Sequence, residues 1–165
     1  MSNDISKIKL KKISAELFKP FGDLLALKDA PDLIINHGMC ERHHNLATIE
    51  FDKGGKPGIS LFNAEPRKLP YTLKMMERHP KGSQAFIPMY EQPFLVIVAI
   101  DEGGKPARPN AFLTEPNVGI NFHKNIWHGV LTPLHSPGVF AVFDRIAQDS
   151  NLEEYWFKNP YTIFN

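Results

Sequence analysis

Apolar and polar residues alternate over short stretches along most of the chain, and helical three-to-four spacing is scarce. "KIKLKKI" near the start alternates as an edge strand does, with Ile8, Leu10 and Lys12 on one face. "SAELFKPFG" predicts a helix of one or two turns, started by Ser14 and stopped by Pro20 and Gly22. "GDLLALK" predicts the next strand, and residues 47–51 end "INHGMCERHHNLATIEF" with a β-type tail. Strand patterns then follow in series at 58–65, 71–79, 83–89, 93–100, 108–115, 118–124, 126–134 and 138–146. The aromatic "EEYWFKNPYTIF" predicts a closing strand at an edge or an interface. "PFLVIVAI" is apolar on both faces, so it lies between two layers or meets another subunit. Many short strands separated by Gly/Pro turns predict an all-β sandwich or barrel.

Composition narrows this picture. A chain of 165 residues predicts one domain, 1–165, large enough for a core without covalent staples. The 14 prolines and 11 glycines explain why the pieces are short. The one cysteine, Cys40, has no partner for an intramolecular disulfide; it reads as an apolar filler in a reducing compartment. No N-terminal apolar segment or membrane-length run is present, which predicts a soluble cytoplasmic protein with no membrane partner. Nineteen basic residues against 18 acidic ones, with no basic stripe, leave nucleic acid without an electrostatic footprint. A small polar substrate or a protein partner stays open.

Three stretches carry candidate chemistry. In "MERHPKGSQ", Glu77 and His79 share a strand face, and His-Pro-Lys-Gly suits a type I turn. A hairpin there brings Gln84 back beside His79, giving a carboxylate, an imidazole and an amide oxygen suited to a divalent metal. The same residues read equally as a solvated, decorated turn. In "GINFHKNIWHGVL", His123 and His128 cannot share one uninterrupted strand face. His128, after Trp127 and before an apolar run, is half-buried and needs a hydrogen bond or a metal. Lys124 and Asn125 in the turn can bind an anion. In "ERHHNLATIE", Arg42 and His44 share a face; they can hold and deprotonate a small hydroxy acid, or form a surface charge cluster. His37 and His135 sit by turn residues and read as surface positions. No phosphate loop, nucleophile elbow, cysteine pair or HExxH motif competes.

"ERHPKGSQAFIPM" and "GINFHKNIWHGVL" resemble the two signature stretches of the ureidoglycolate lyase family, formerly called ureidoglycolate hydrolase. "FKPFGDLL", "INHGMCERHHNLATIE" and "FLVIVAI" resemble its other blocks in the same order, so the resemblance runs from about residue 10 to about residue 146. It implies a cupin-like double-stranded antiparallel β-barrel with one or two short helices, assembled as a homodimer. It also implies an amidine-lyase-type carbon–nitrogen lyase that converts ureidoglycolate to glyoxylate and urea in allantoin and purine breakdown. Laid on the metal-binding cupin pattern, Glu77 stands at the first histidine, His79 at the second, Gln84 at the glutamate and His128 at the third. The resemblance therefore leaves two cofactor expectations: a divalent metal such as nickel or manganese on Glu77, His79, Gln84 and His128, or no metal. The roles it implies are Arg42 or Lys124 on the substrate carboxylate, with Gln84 also in the binding set. His79, His128 and Glu77 are the catalytic or metal-binding group, with His44 a second candidate base. Three alternatives stand beside it: an amidohydrolase releasing ammonia, a non-catalytic cupin sensing glyoxylate or a related acid, and a sugar-type cupin isomerase or epimerase.

Overall fold

The computed structural model describes residues 6–165. The strands are β1 (Lys7–Lys9), β2 (Lys11–Lys12), β3 (Gly22–Leu25), β4 (Leu33–Ile35), β5 (Cys40–Arg42), β6 (Lys56–Asn63), β7 (Tyr71–Arg78) and β8 (Gln84–Pro88). They continue as β9 (Phe94–Ala99), β10 (Asn110–Leu113), β11 (Gly119–Phe122), β12 (Trp127–His128), β13 (Thr132–Pro133), β14 (Val139–Ile146) and β15 (Glu153–Phe164). One helix of a single turn, α1 (Ala15–Phe18), follows Ser14, whose hydroxyl accepts from the Leu17 N–H.

The strands form a large sheet, β1-β15-β7-β12-β9-β10-β2 with β13 on β9, and a small one, β3-β11-β8-β14-β6. β4 and β5 make a separate two-stranded ribbon. The large sheet curls until its ends meet: β1 pairs with β15 and, one residue later, β2 pairs with β10. Residues from both ends, Ile8 and Ala111, accordingly share one core with Leu73, Ile97, Trp127 and Ile163. The second core fills the space between the sheets, where Phe94, Val96 and Val98 meet Phe86, Ile120, Phe122, Phe140 and Val142. β9 lies between these two cores, which is why every residue of it is apolar and buried. The all-β, barrel-like architecture expected from the strand series is what forms.

Four local expectations are corrected. "KIKLKKI" is two strands rather than one, because its halves pair with opposite ends of the curled sheet. Residues 126–134 split into β12 and β13 around Gly129. Residues 47–51 form no regular strand; only Phe51 makes an isolated bridge, to Gly82. Polar side chains of β3 and β11 capture this segment instead: Asp23 accepts from the Thr48 N–H, and the buried Asn121 amide donates to the Thr48 carbonyl. Last, β7 and β8 are not a hairpin. The Pro80–Lys81 turn carries the chain from the large sheet to the small one, so residues either side of it face each other across the interior.

Glycine matters where backbones approach closely, as at β3. A Cβ on Gly22 would lie 1.9 Å from the Asn121 carbonyl oxygen. Only glycine lets β3 pair with β11 in this register, Phe122 against Gly22 and Asn121 against Asp23.

Candidate active site

Glu77 is the penultimate residue of β7, and His128 sits directly opposite it on β12. His128 pairs on its other side with Val98, an interior residue, so its imidazole faces the space between the sheets while Trp127 points into the other core. His79 follows β7 and meets His128 at a ring-centroid distance of 5.2 Å. One candidate ligand atom from each of Glu77, His79 and His128 lies within 4.8 Å of the others. The Glu77 side chain is 23% exposed and that of His128 only 2%, so the group opens to solvent on its carboxylate side.

The two imidazoles are held by backbone. Nδ1 of His79 lies 2.8 Å from the Asn151 carbonyl, and Nδ1 of His128 lies 3.0 Å from that of Gly129. A carbonyl only accepts, so each Nδ1 carries the proton and donates, leaving each Nε2 with a lone pair. Both Nε2 atoms are buried without a protein partner among the described residues. Phe122 stacks on the His128 ring at 4.3 Å and 6°, fixing its plane. Glu77 Oε1 lies 4.0 Å from His128 Nδ1, and two histidines with unpartnered Nε2 atoms beside a carboxylate have the donor chemistry that suits a divalent transition metal.

Burial sets the protonation of the group. His128 is pushed down to about 3, first by desolvation and then by His79 beside it, with the Gly129 carbonyl acting the other way. It is neutral at pH 7. Burial pushes Glu77 up; Glu154 adds to this and His79 opposes it. A carboxyl raised in this way is suited to proton exchange closer to neutrality.

The other candidate residues fall in different places. Gln84 begins β8, buried, in register with Phe122 and with Asp144 of β14. Its Nε2 donates to Asp144 Oδ2 at 3.0 Å. Lys124, in the turn between β11 and β12, pairs with Asp52 at 2.9 Å, and that ion pair raises its pKa. The same turn is tied to the group, because the Asn125 N–H donates to the His79 carbonyl. Arg42 and His44 are exposed on or just after the β4–β5 ribbon and are not part of the converging group. The His44 N–H donates to Asp32. His123 pairs with Asp23 at 3.1 Å. Burial acts to raise Asp23, but hydrogen bonds from Thr48, Asn121 and His123 outweigh it and hold the carboxyl low.

The Arg78 guanidinium lies 4.4 Å over the Trp127 ring, and it pairs with Asp101 and Glu153. Trp127 Nε1 also donates to Asp101, at 2.8 Å. This clamp braces β12 from behind. Asp144 was not singled out from sequence. Its signal is parity: in "VFAVFDRI" it shares a face with Phe140 and Val142, both core residues. A carboxylate at an inward position of an apolar strand is the mark of a site.

The curled β-barrel, with Glu77, His79 and His128 brought together in it, defines a cupin-like protein. The family model for ureidoglycolate lyase matches residues 5–164, and the chain belongs to that family. It is 51% identical over 159 residues to the ureidoglycolate lyase of Rhodobacter capsulatus, covering 96% of this chain and 99% of the relative. It is 48% identical to ureidoglycolate lyase 2 of Rhizobium meliloti, covering 93% and 95%. Against the ureidoglycolate lyase of Chelativorans sp. the identity is 43%, covering 95% and 96%.

Proposed function

We infer that this chain is an enzyme that cleaves ureidoglycolate to glyoxylate and urea, with Glu77, His79 and His128 as its catalytic centre. The observation that carries the reading is the convergence of these three residues in a member of the ureidoglycolate lyase family. The central carbon of ureidoglycolate bears a hydroxyl, a ureido nitrogen and a carboxylate. Cleavage breaks the O–H and C–N bonds, forms C=O, and delivers the proton to the leaving nitrogen. Glu77 suits that proton transfer: burial raises its pKa, and its side chain is more open than that of His128. A positioned acid/base of this kind contributes on the order of 10²–10⁴ in rate. It takes the role in preference to His44, which lies outside the group.

His128 is neutral at pH 7 and offers a lone pair rather than a proton. In the alternative arrangement Glu77, His79 and His128 would hold a divalent ion such as nickel or manganese, and Glu77 would then serve as a ligand in place of carrying the proton. When bound, that ion supplies Lewis-acid charge beside the hydroxyl oxygen and eases its deprotonation. Lys124 is the cation for the substrate carboxylate, since its turn is hydrogen-bonded to His79; Arg42 is on the ribbon. Exchange of its Asp52 partner for substrate would release it.

Two coarser features complete the reading. A homodimer is supported by apolar residues on the outer face of the small sheet, where Ile59 is 75% and Leu61 67% exposed, on edge strand β6. A reducing, cytoplasmic setting is supported by the single free cysteine. Among the described residues, no helix is long and apolar enough to cross a membrane.

The test is urea and ammonia release from ureidoglycolate, before and after chelation, with metal restored. Urea without ammonia is expected; loss on chelation with recovery on nickel or manganese assigns Glu77 to the metal, and activity that survives chelation assigns it to proton transfer. His79→Ala and His128→Ala that fold and keep near-normal urea release would overturn the assignment.

A further inference from the structure

We propose that Gln84 and Asp144 form a paired acceptor that reads the ureido end of the substrate. Both lie on the inward face of the small sheet: Gln84 is in register with Phe122, whose ring stacks on His128, and Asp144 follows Phe140 and Val142. Gln84 is 7% exposed. Its Nε2 donates to Asp144 Oδ2 at 3.0 Å, which fixes the amide: a carboxylate only accepts, so the nitrogen must face Asp144. Gln84 Oε1 therefore turns away from Asp144. That oxygen and Asp144 Oδ1 are buried with no protein partner.

Two buried acceptors without a donor are costly unless a ligand supplies one. The ureido group carries N–H bonds on both nitrogens, with neighbouring hydrogens that match two adjacent acceptors. The substrate carboxylate carries none and is repelled by Asp144. The pair thus sets polarity: carboxylate toward Lys124, ureido end toward the small sheet, and the central carbon at Glu77. In this arrangement Asp144 positions Gln84 and also accepts directly. The assignment rests on the ureidoglycolate reading for its substrate, but a binding measurement tests it independently of turnover.

The probe is oxalurate, which has a carbonyl in place of the central carbinol and keeps the ureido and carboxylate ends. Calorimetric titration compares it with glyoxylate, which lacks the ureido end. Asp144→Asn and Gln84→Met, each checked by thermal melting, should weaken oxalurate at least tenfold and leave glyoxylate within about twofold. If either variant folds poorly, the other decides. Equal weakening of both ligands, no weakening of either, or no oxalurate binding to the unmodified protein would overturn the proposal. An unmodified protein that binds oxalurate through this pair yet releases no urea would instead sink the lyase reading alone.

Discussion

His128 couples protonation to folding. The unfolded chain takes up a proton near the ordinary histidine value of 6.5, while the folded chain resists it until about 3. The unfolded state therefore binds more protons between these values, and this residue's contribution falls as pH drops through the window. Glu77 acts in the opposite sense, since its folded pKa is raised and acidification through that value relieves the buried charge. In metal-free protein, the melting temperature is expected to drop from pH 7 to pH 5, and to drop less in His128→Asn; circular dichroism melts compare the slopes. Glu77→Gln should lower kcat by roughly 10²-fold or more while leaving the melting temperature unchanged or higher, because a desolvated carboxylate is replaced by a neutral isostere. A matched loss of kcat and melting temperature would point to a structural role.

At the scale of elements, side chains on the outside of the sheets hold the site strands in place. Arg78 packs over Trp127 and joins β7 to β15 through Glu153. Arg78→Met keeps the aliphatic contact but loses the cation and the ion pairs. It is expected to raise KM or lower kcat severalfold through misplacement of His128, with substrate-independent loosening of β12 seen by hydrogen exchange. The segment at Thr48 depends on Asn121, which is fully buried and donates to both Asp23 and the Thr48 carbonyl. Asn121→Ala leaves the Thr48 carbonyl without that donor and removes one of the hydrogen bonds to Asp23, and should cost about 1–3 kcal/mol by denaturant unfolding, with faster exchange confined to residues 46–50. Arg145 plays a comparable part: it is 6% exposed and reaches the carbonyls of Asp52 and Lys53 while pairing with Asp149.

Over the whole molecule, apolar surface is unevenly placed. The outer face of the small sheet sets Ile59 against Phe143 and Leu61 against Ala141, and Ala141 against Ile87, in adjoining rows. A contiguous exposed face of this kind on an edge strand marks an association surface. If it is the dimer contact, Ile59→Lys with Leu61→Glu should halve the mass measured by light scattering. An unchanged mass would remove this face from the interface.

The sequence by itself determined the class of fold. Period-two alternation and Pro/Gly punctuation are local signals, and an unbroken apolar run such as β9 requires two covered faces. It also brought Glu77 and His79 together as near neighbours, although strand parity does not place His79, which lies one residue past the end of β7. It could not show that "HPKG" bridges two sheets, since a turn's residues fix its local geometry and not which strands pair beyond it. Nor could it split "KIKLKKI", whose halves differ only in the distant strands they join. The long-range contacts decided the site: His128 meets Glu77 across β12 and β7, Asn151 orients His79, and Asp144 meets Gln84. Those pairings join residues far apart in the chain, and only the closing of the sheets brings them within reach of one another.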